Sequence, residues 1–166
     1  SIDFHDIDHI VFAGMGGSGA IGDVFSSILS KSDIHVSLVK GYLLPKTVDK
    51  NTLVVTTSVS GKTTETLTVL ESAKKMDCNL IAFSSGGEMQ KYCEQQKITF
   101  RKIPLFHSPR TSLITFTYSI LKILNSIIPI DKNSILESIN QLEIERNKIF
   151  SNNLLYSSTS IFLTPN

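Results

Sequence analysis

Ile10-Val11-Phe12-Ala13-Gly14-Met15-Gly16-Gly17-Ser18-Gly19 is the stretch on which the fold turns. A short apolar run enters a glycine cluster, and beyond it Ala20 to Leu29 repeats apolar residues at spacings of three and four. A strand that is apolar at every position is buried on both faces, as strands of parallel sheets are. The stretch reads strand, tight turn, helix.

The same unit recurs along the chain. His35–Val39 and Thr52–Thr57 read as strands, the second followed by Ser58-Val59-Ser60-Gly61 and a helix through Met76. Asn79–Phe83 is a fourth strand, ending in Ser84-Ser85-Gly86-Gly87 and a helix through Cys93. Ile98–Ile103 is a fifth, placed at an edge because it is more polar. Pro109–Ile128 reads as a long apolar helix in which Leu113, Phe116, Thr117, Ile120, Leu121, Leu124 and Ile127 share a face. Strands alternating with helices of this length predict an α/β fold, a three-layer sandwich whose five-stranded parallel sheet is doubly wound in the flavodoxin-like manner. Right-handed crossovers place every strand-to-helix loop on one edge of the sheet, where such folds bind ligands. The glycine- and serine-rich segments all fall on that edge.

Past Pro129 the texture changes. Asp131–Phe150 reads as an amphipathic helix with Ile135, Ile139, Leu142 and Ile149 on one side, Ser151–Ser160 as a polar loop, and Ile161–Thr164 as a strand. The expected organisation is a domain over residues 1–128, a C-terminal helix over 129–150, and over 151–166 a linker into the first strand of a further domain.

Composition narrows the function. The chain has 166 residues, 41% hydrophobic, enough for the core of one domain. Its 16 basic and 15 acidic residues leave a net charge of +1 with no basic block, so nothing argues for a nucleic-acid or membrane partner. Cys78 and Cys93 lack a CxxC spacing and a nearby histidine pair, which disfavours a zinc site or a disulfide framework and suits an intracellular protein. The polar start at Ser1-Ile2-Asp3-Phe4-His5-Asp6 lacks the basic opening of a signal peptide, and no apolar run reaches the ~20 residues that span a bilayer. The expected compartment is the cytoplasm.

Three readings compete for the loops. Gly14 to Gly19 satisfies G-x-G-x-x-G between strand and helix, a geometry that brings backbone close to a phosphate at a helix N-terminus. A dinucleotide site also needs an acid after the second strand for the ribose, and Leu38-Val39-Lys40-Gly41 offers none. Ser60-Gly61-Lys62-Thr63 ends like a Walker A loop, but Thr56 stands where its first glycine belongs. The third reading is a site for a single phosphate. Ser58, Ser60 and Thr63 supply three hydroxyls, Gly61 permits a tight turn, and a helix starting near Lys62 aims free N–H groups and its positive dipole end at the same point. The plain alternative is that one of these hydroxyls caps the helix.

In order along the chain, the glycine loop, Ser58–Thr63 with Glu65-Thr66 after it, and Ser84-Ser85-Gly86-Gly87 resemble a sugar isomerase (SIS) domain. More narrowly, Phe12 to Asp23 and Ser108-Pro109-Arg110-Thr111-Ser112-Leu113 resemble the amino-terminal half of bifunctional phosphoglucose/phosphomannose isomerases. The resemblance covers about residues 8 to 125. It implies that Gly16, Gly17 and Ser18 contact the sugar or its phosphate, that Ser58, Ser60 and Thr63 hold the phosphate, and that Arg110 lies over the reacting carbons and stabilises an enediolate. A guanidinium that is always charged suits that task. The implied ligand is a small-molecule phosphosugar, with no cofactor and no metal, and the implied assembly is a homodimer.

Two departures stand out. Lys62 replaces the asparagine usual in such isomerases, and Thr64 an acid common there. The family's catalytic base (a glutamate), a ring-opening histidine and a lysine lie in a second SIS domain, and nothing within these 166 residues clearly replaces the base that aldose–ketose isomerisation requires. His107 is the histidine nearest the proposed site and Glu65 a weaker candidate base. The expectations are therefore the phosphate-binding half of an isomerase of fructose 6-phosphate with glucose or mannose 6-phosphate or, in a different class, a non-catalytic module that senses a phosphosugar. Leu154, Leu155, Ile161 and Phe162 are expected to be exposed or covered by a second copy.

Overall fold

A computed structural model describes residues 6–105, 111–128 and 131–161. The elements run β1 (His9–Ala13), α1 (Gly17–Ile28), β2 (His35–Val39), β3 (Thr52–Ser58), α2 (Thr64–Lys75), β4 (Asn79–Ser84), α3 (Gly87–Gln96), β5 (Thr99–Lys102), α4 (Leu113–Ile123), a 3-10 turn at Leu124–Ser126, and α5 (Lys132–Ile161). The chain divides into two compact units, Ser1–Ile128 and Pro129–Asn166.

The first unit is the expected doubly wound sheet. Its five strands lie in the order β2-β1-β3-β4-β5, every neighbouring pair parallel. Position in the sheet explains composition. Every residue of the inner strands β1 and β3 is buried, whereas the edge strands β2 and β5 have mixed or exposed positions.

Alternation along β1 separates the two layers of helix. Val11 and Ala13 join Val54 and Val39 in a cluster with Val69 and Ala73 of α2. Phe12 points the other way and stacks on Phe25 of α1, ring centroids 4.9 Å apart. Gly22 lets α1 sit this close, since an added Cβ would lie 3.1 Å from Phe12 and from Leu38. On the α2 side a second cluster joins Leu70 to Met89 and Cys93 of α3 and takes in Phe100 of β5. The segment between β2 and β3 has no helix and instead packs Leu44 and Val48 beside α2. Side chains fully removed from water contribute about 1.5–3 kcal/mol each, and Phe25, Phe83, Phe116, Ile10 and Leu53 are of that kind.

Two sequence expectations are corrected. The helix expected over Pro109–Ile128 is α4 over Leu113–Ile123, closed by the 3-10 turn. The polar loop expected over Ser151–Ser160 is helical, since α5 continues to Ile161 and so also takes the first residue of the strand expected there. No glycine or proline interrupts residues 132–161, and serine and asparagine disfavour a helix by only ~0.5 kcal/mol each. Phe162, Leu163 and Thr164, and the side chains of Leu154, Leu155 and Ile161, lie outside what is described. Among the described residues no helix is long and apolar enough to cross a membrane.

Candidate functional site

Parallel pairing brings the carboxyl ends of the strands to one edge. Ala13 pairs with Val39 and Thr56, and Ser58 pairs with Ser84, so the loops after β1, β3 and β4 leave the sheet side by side. Direct bonds tie them together. The Val59 N–H donates to Ser18 Oγ at 3.3 Å, joining the first turn of α1 to the loop after β3. Ser85 Oγ donates to the Val59 carbonyl at 2.6 Å, and the Met89 N–H to the Gly61 carbonyl at 2.9 Å, joining that loop to the one after β4.

Glycine is obligatory at two points of this junction. Gly14 lets the turn into α1 pass close to β3, because an added Cβ would sit 2.8 Å from the Ser18 carbonyl and 3.0 Å from the Thr57 carbonyl. Gly61 has φ +67°, and a Cβ there would fall onto the Gly86 carbonyl. The loops nest because neither residue has a side chain.

The predicted phosphate ligands come together in two tiers. Ser58 is 1% exposed, and its hydroxyl is shared between Thr63 Oγ1 at 2.9 Å and the Gly61 N–H at 3.1 Å. It braces the loop from beneath. Ser18 and Thr63 are half-buried, while Gly16, Gly17 and Ser60 are exposed. Ser60 Oγ accepts from the Lys62 N–H at 3.3 Å, and a Cβ added to Gly17 would meet nothing within 4 Å.

Simple capping is not how these hydroxyls are used. Thr63 is the N-cap of α2 but makes no side-chain cap bond, and the N-caps of α1 and α3 are Gly16 and Gly86, which have no side chain to offer. Three helix N-termini therefore meet at one edge without capping side chains. The Met15 carbonyl accepts from the Ser18 and Gly19 N–H groups and the Gly61 carbonyl from that of Met89, but each terminus still presents the positive end of a dipole, so together they favour an anion. Lys62 is exposed beside them and has no ion pair among the described residues.

Lys40, where a dinucleotide site wants a carboxylate, forms an ion pair with Asp23 of α1 at 2.7 Å. Its side chain lies against Gly19, behind the glycine loop. Ser85 is the member of the junction that sequence reasoning did not single out as a ligand or a brace, and its place beside a second glycine pair was the available signal. Glu65 lies in the first turn of α2, where the dipole accounts for it. Arg110 and His107 lie outside the described residues, as does His5. Burial raises the thiol pKa of Cys78, and raises that of Cys93 to about 11, so both are poor nucleophiles at neutral pH. Among the described residues there is no cluster of three or more metal-ligating side chains.

These features define an α/β domain with a candidate anion cradle at the carboxyl edge of its sheet. The SIS domain family matches residues 3–127, and the chain belongs to that family. It is 37% identical over 109 residues to a bifunctional phosphoglucose/phosphomannose isomerase from Caldicellulosiruptor bescii, covering 65% of this chain and 32% of the relative. The same enzyme from Thermoplasma volcanium is 37% identical over 121 residues, covering 73% of this chain and 37% of the relative. A D-glucosamine-6-phosphate 4-epimerase from Sulfolobus acidocaldarius is 31% identical over 71% of this chain and 38% of its own length. The aligned part of the chain thus spans about a third of the length of these relatives. Among solved structures, glucosamine-6-phosphate deaminase from Thermotoga maritima superposes with a TM-score of 0.64 at 16% identity over 78% of this chain and 43% of that one. The Vibrio vulnificus NanR protein complexed with ManNAc-6P gives 0.55 at 14% over 84% and 56%. At those identities the structures bear on the fold alone.

Proposed function

We propose that this domain binds a phosphosugar and forms the phosphate-binding half of an aldose–ketose isomerase that interconverts fructose 6-phosphate with glucose 6-phosphate or mannose 6-phosphate. The observation that carries the reading is the bond from the Val59 N–H to Ser18 Oγ, which makes one cradle of two loops whose helices have no capping side chains. In this reading Ser18, Ser60 and Thr63 donate to the phosphate, and Ser58 holds Thr63 in place. Gly16 and Gly17 leave the backbone open to the sugar, and Arg110 faces the oxyanions that develop during enolisation. Hydroxyl and N–H donors suit a phosphate because bonds to a charged acceptor are about twice as strong as neutral ones. The curated relatives at 37% identity support the reaction class. The proton transfer itself belongs to a base supplied from outside these residues.

The working unit is a homodimer. Ile139, Leu142 and Ile149 of α5 share one side of the helix and are exposed, as apolar side chains that meet a second copy would be in a monomer. Light scattering on the eluting peak should give twice the chain mass at micromolar concentration, and a monomer there rejects the dimer.

Calorimetric titration tests the site. Fructose 6-phosphate should bind while free fructose and NADH do not, and Ser60→Ala should weaken binding by roughly tenfold or more, the loss of one hydrogen bond to a charged group. NADH binding in place of the phosphosugar would overturn the reading. Tight, saturable binding of fructose 6-phosphate with no isomerase turnover would support a phosphosugar-sensing module instead.

A further inference from the structure

The first unit has a second cleft that shares no residue with the cradle. It lies between β5 and the C-terminal half of α4, is open to solvent with a volume of about 340 Å³, and is lined chiefly by Arg101, Lys102, Ile103, Ser119, Lys122 and Ile123. β5 stands two strands away from β3, whose loop holds the proposed phosphate ligands.

Strand and helix periodicity account for the convergence. Phe100 packs into the cluster of Met89 and Cys93 on the α3 side of the sheet. Side chains alternate along a strand, so Arg101 and Ile103 project to the other side. On α4, Ser119, Lys122 and Ile123 are spaced i, i+3, i+4 and share one helix face, beside the stripe of Phe116, Ile120 and Leu124 that enters the core.

The charges are uncompensated. Among the described residues Lys102 and Lys122 have no ion pair, and the Arg101 guanidinium makes a single bond, to the Phe100 carbonyl at 3.3 Å. Cations on an edge strand commonly guard it against pairing with another sheet, which accounts for Arg101 and Lys102. That role does not account for Lys122 and Ser119, which lie on a different element and line the same space. Nor is a general basic excess the source, since the whole chain carries only +1.

We infer that this cleft is a second anion site, taking one compact phosphate-bearing small molecule. The Arg101 guanidinium and the Lys122 ammonium match a dianion, and the Ser119 hydroxyl adds a neutral donor. Ile103 and Ile123 give an apolar wall for a short carbon skeleton. The volume lies at the lower end of the ~300–1,000 Å³ range of small-molecule pockets, which fits one small ligand.

Amide-resolved NMR titration of the whole chain with inorganic phosphate tests the assignment, with chloride at matched ionic strength as control. Saturable shifts are expected at the Arg101–Ile103 and Ser119–Ile123 amides. Ser60→Ala should leave these shifts intact while weakening those around Ser58–Gly61, so the two sites fail or survive separately. The double variant R101E/K122E should lower phosphate affinity at the cleft at least tenfold, and the milder Lys122→Gln severalfold if the double variant misfolds. Absence of saturation at the cleft, an affinity unchanged in the charge variants, equal shifts with chloride, or loss of the cleft shifts in Ser60→Ala would each overturn it.

Discussion

Thr63 holds the N-cap position of α2 and directs its hydroxyl to Ser58 instead of the helix N–H groups. A cap of this kind is worth ~1 kcal/mol, so leaving it unmade is stabilising only when another acceptor takes its place. A bound phosphate is such an acceptor. In the proposed complex Lys62 would act on the same anion from an exposed position, where a single ion pair is worth ~0.2–1 kcal/mol and is screened by salt. Lys62→Asn should therefore weaken fructose 6-phosphate binding about two- to fivefold in dilute buffer. In half-molar salt the difference should nearly vanish, and calorimetry at the two salt concentrations reads it directly. Thr66 supplies a second residue-scale prediction. It is 1% exposed, and its hydroxyl has no partner among the described residues. An unsatisfied buried hydroxyl costs ~1–3 kcal/mol, and valine has nearly the same shape. Thr66→Val should raise the melting temperature by ~2–4 °C per kcal/mol recovered. A lower melting temperature would mean that the hydroxyl has a partner in solution, such as water or the ligand.

Element geometry separates glycines that differ little on paper. Gly61 and Gly17 both lie in loops flagged as phosphate-binding, yet a Cβ on Gly61 would meet the Gly86 carbonyl and one on Gly17 open space. Gly61→Ala also forces a side chain onto φ +67°, a conformation that costs ~1–3 kcal/mol before any clash. It should lower the melting temperature by roughly 5 °C or more and abolish phosphosugar binding, because the loops after β3 and β4 can no longer nest. Gly17→Ala should melt like the wild type, and any loss of binding in it reports ligand contact alone. Thermal melts run beside calorimetry on the two variants make the comparison. Equal melting temperatures would show that the loops do not nest as described.

Across the whole molecule, the sheet was legible because its signal is physical and local. Ile10–Ala13 and Leu53–Val55 are apolar at every position because both faces of those strands are covered. The loops were legible because their glycines and serines stand where continuous apolar runs give way to runs of period 3.6. What was not legible depends on contacts that spacing does not encode. The burial of Ser58 beneath the loop needs the Gly61 turn, and the bracing role of Ser85 needs β4 in register with β3. The extension of α5 through Ser151–Ser160 was not legible for a different reason, because weak helix propensities alone do not stop a helix that lacks a breaker.

His9 makes the last prediction, at the edge of the sheet opposite the cradle. It opens β1, its ring centroid 4.7 Å from that of His35, and it is 5% exposed. Thr52 Oγ1 donates to Asp49 Oδ1 at 3.0 Å, so it accepts from His9 Nδ1 at 3.3 Å. With the ring neutral and its proton on Nδ1, His9 Nε2 accepts from Ser37 Oγ at 2.9 Å. Burial first, and His35 second, hold the His9 pKa below its ordinary value of about 6.5. The unfolded chain thus takes up the proton before the folded one. The stability this provides is complete above about pH 6.5 and is lost as pH falls through the lower folded pKa. Denaturant midpoints measured from pH 7.5 down to 5 should fall for the wild type and stay flatter for His9→Gln, while both bind fructose 6-phosphate alike at pH 7.5. Parallel decline of the two proteins would assign the acid sensitivity to other groups and leave His9 a packing residue.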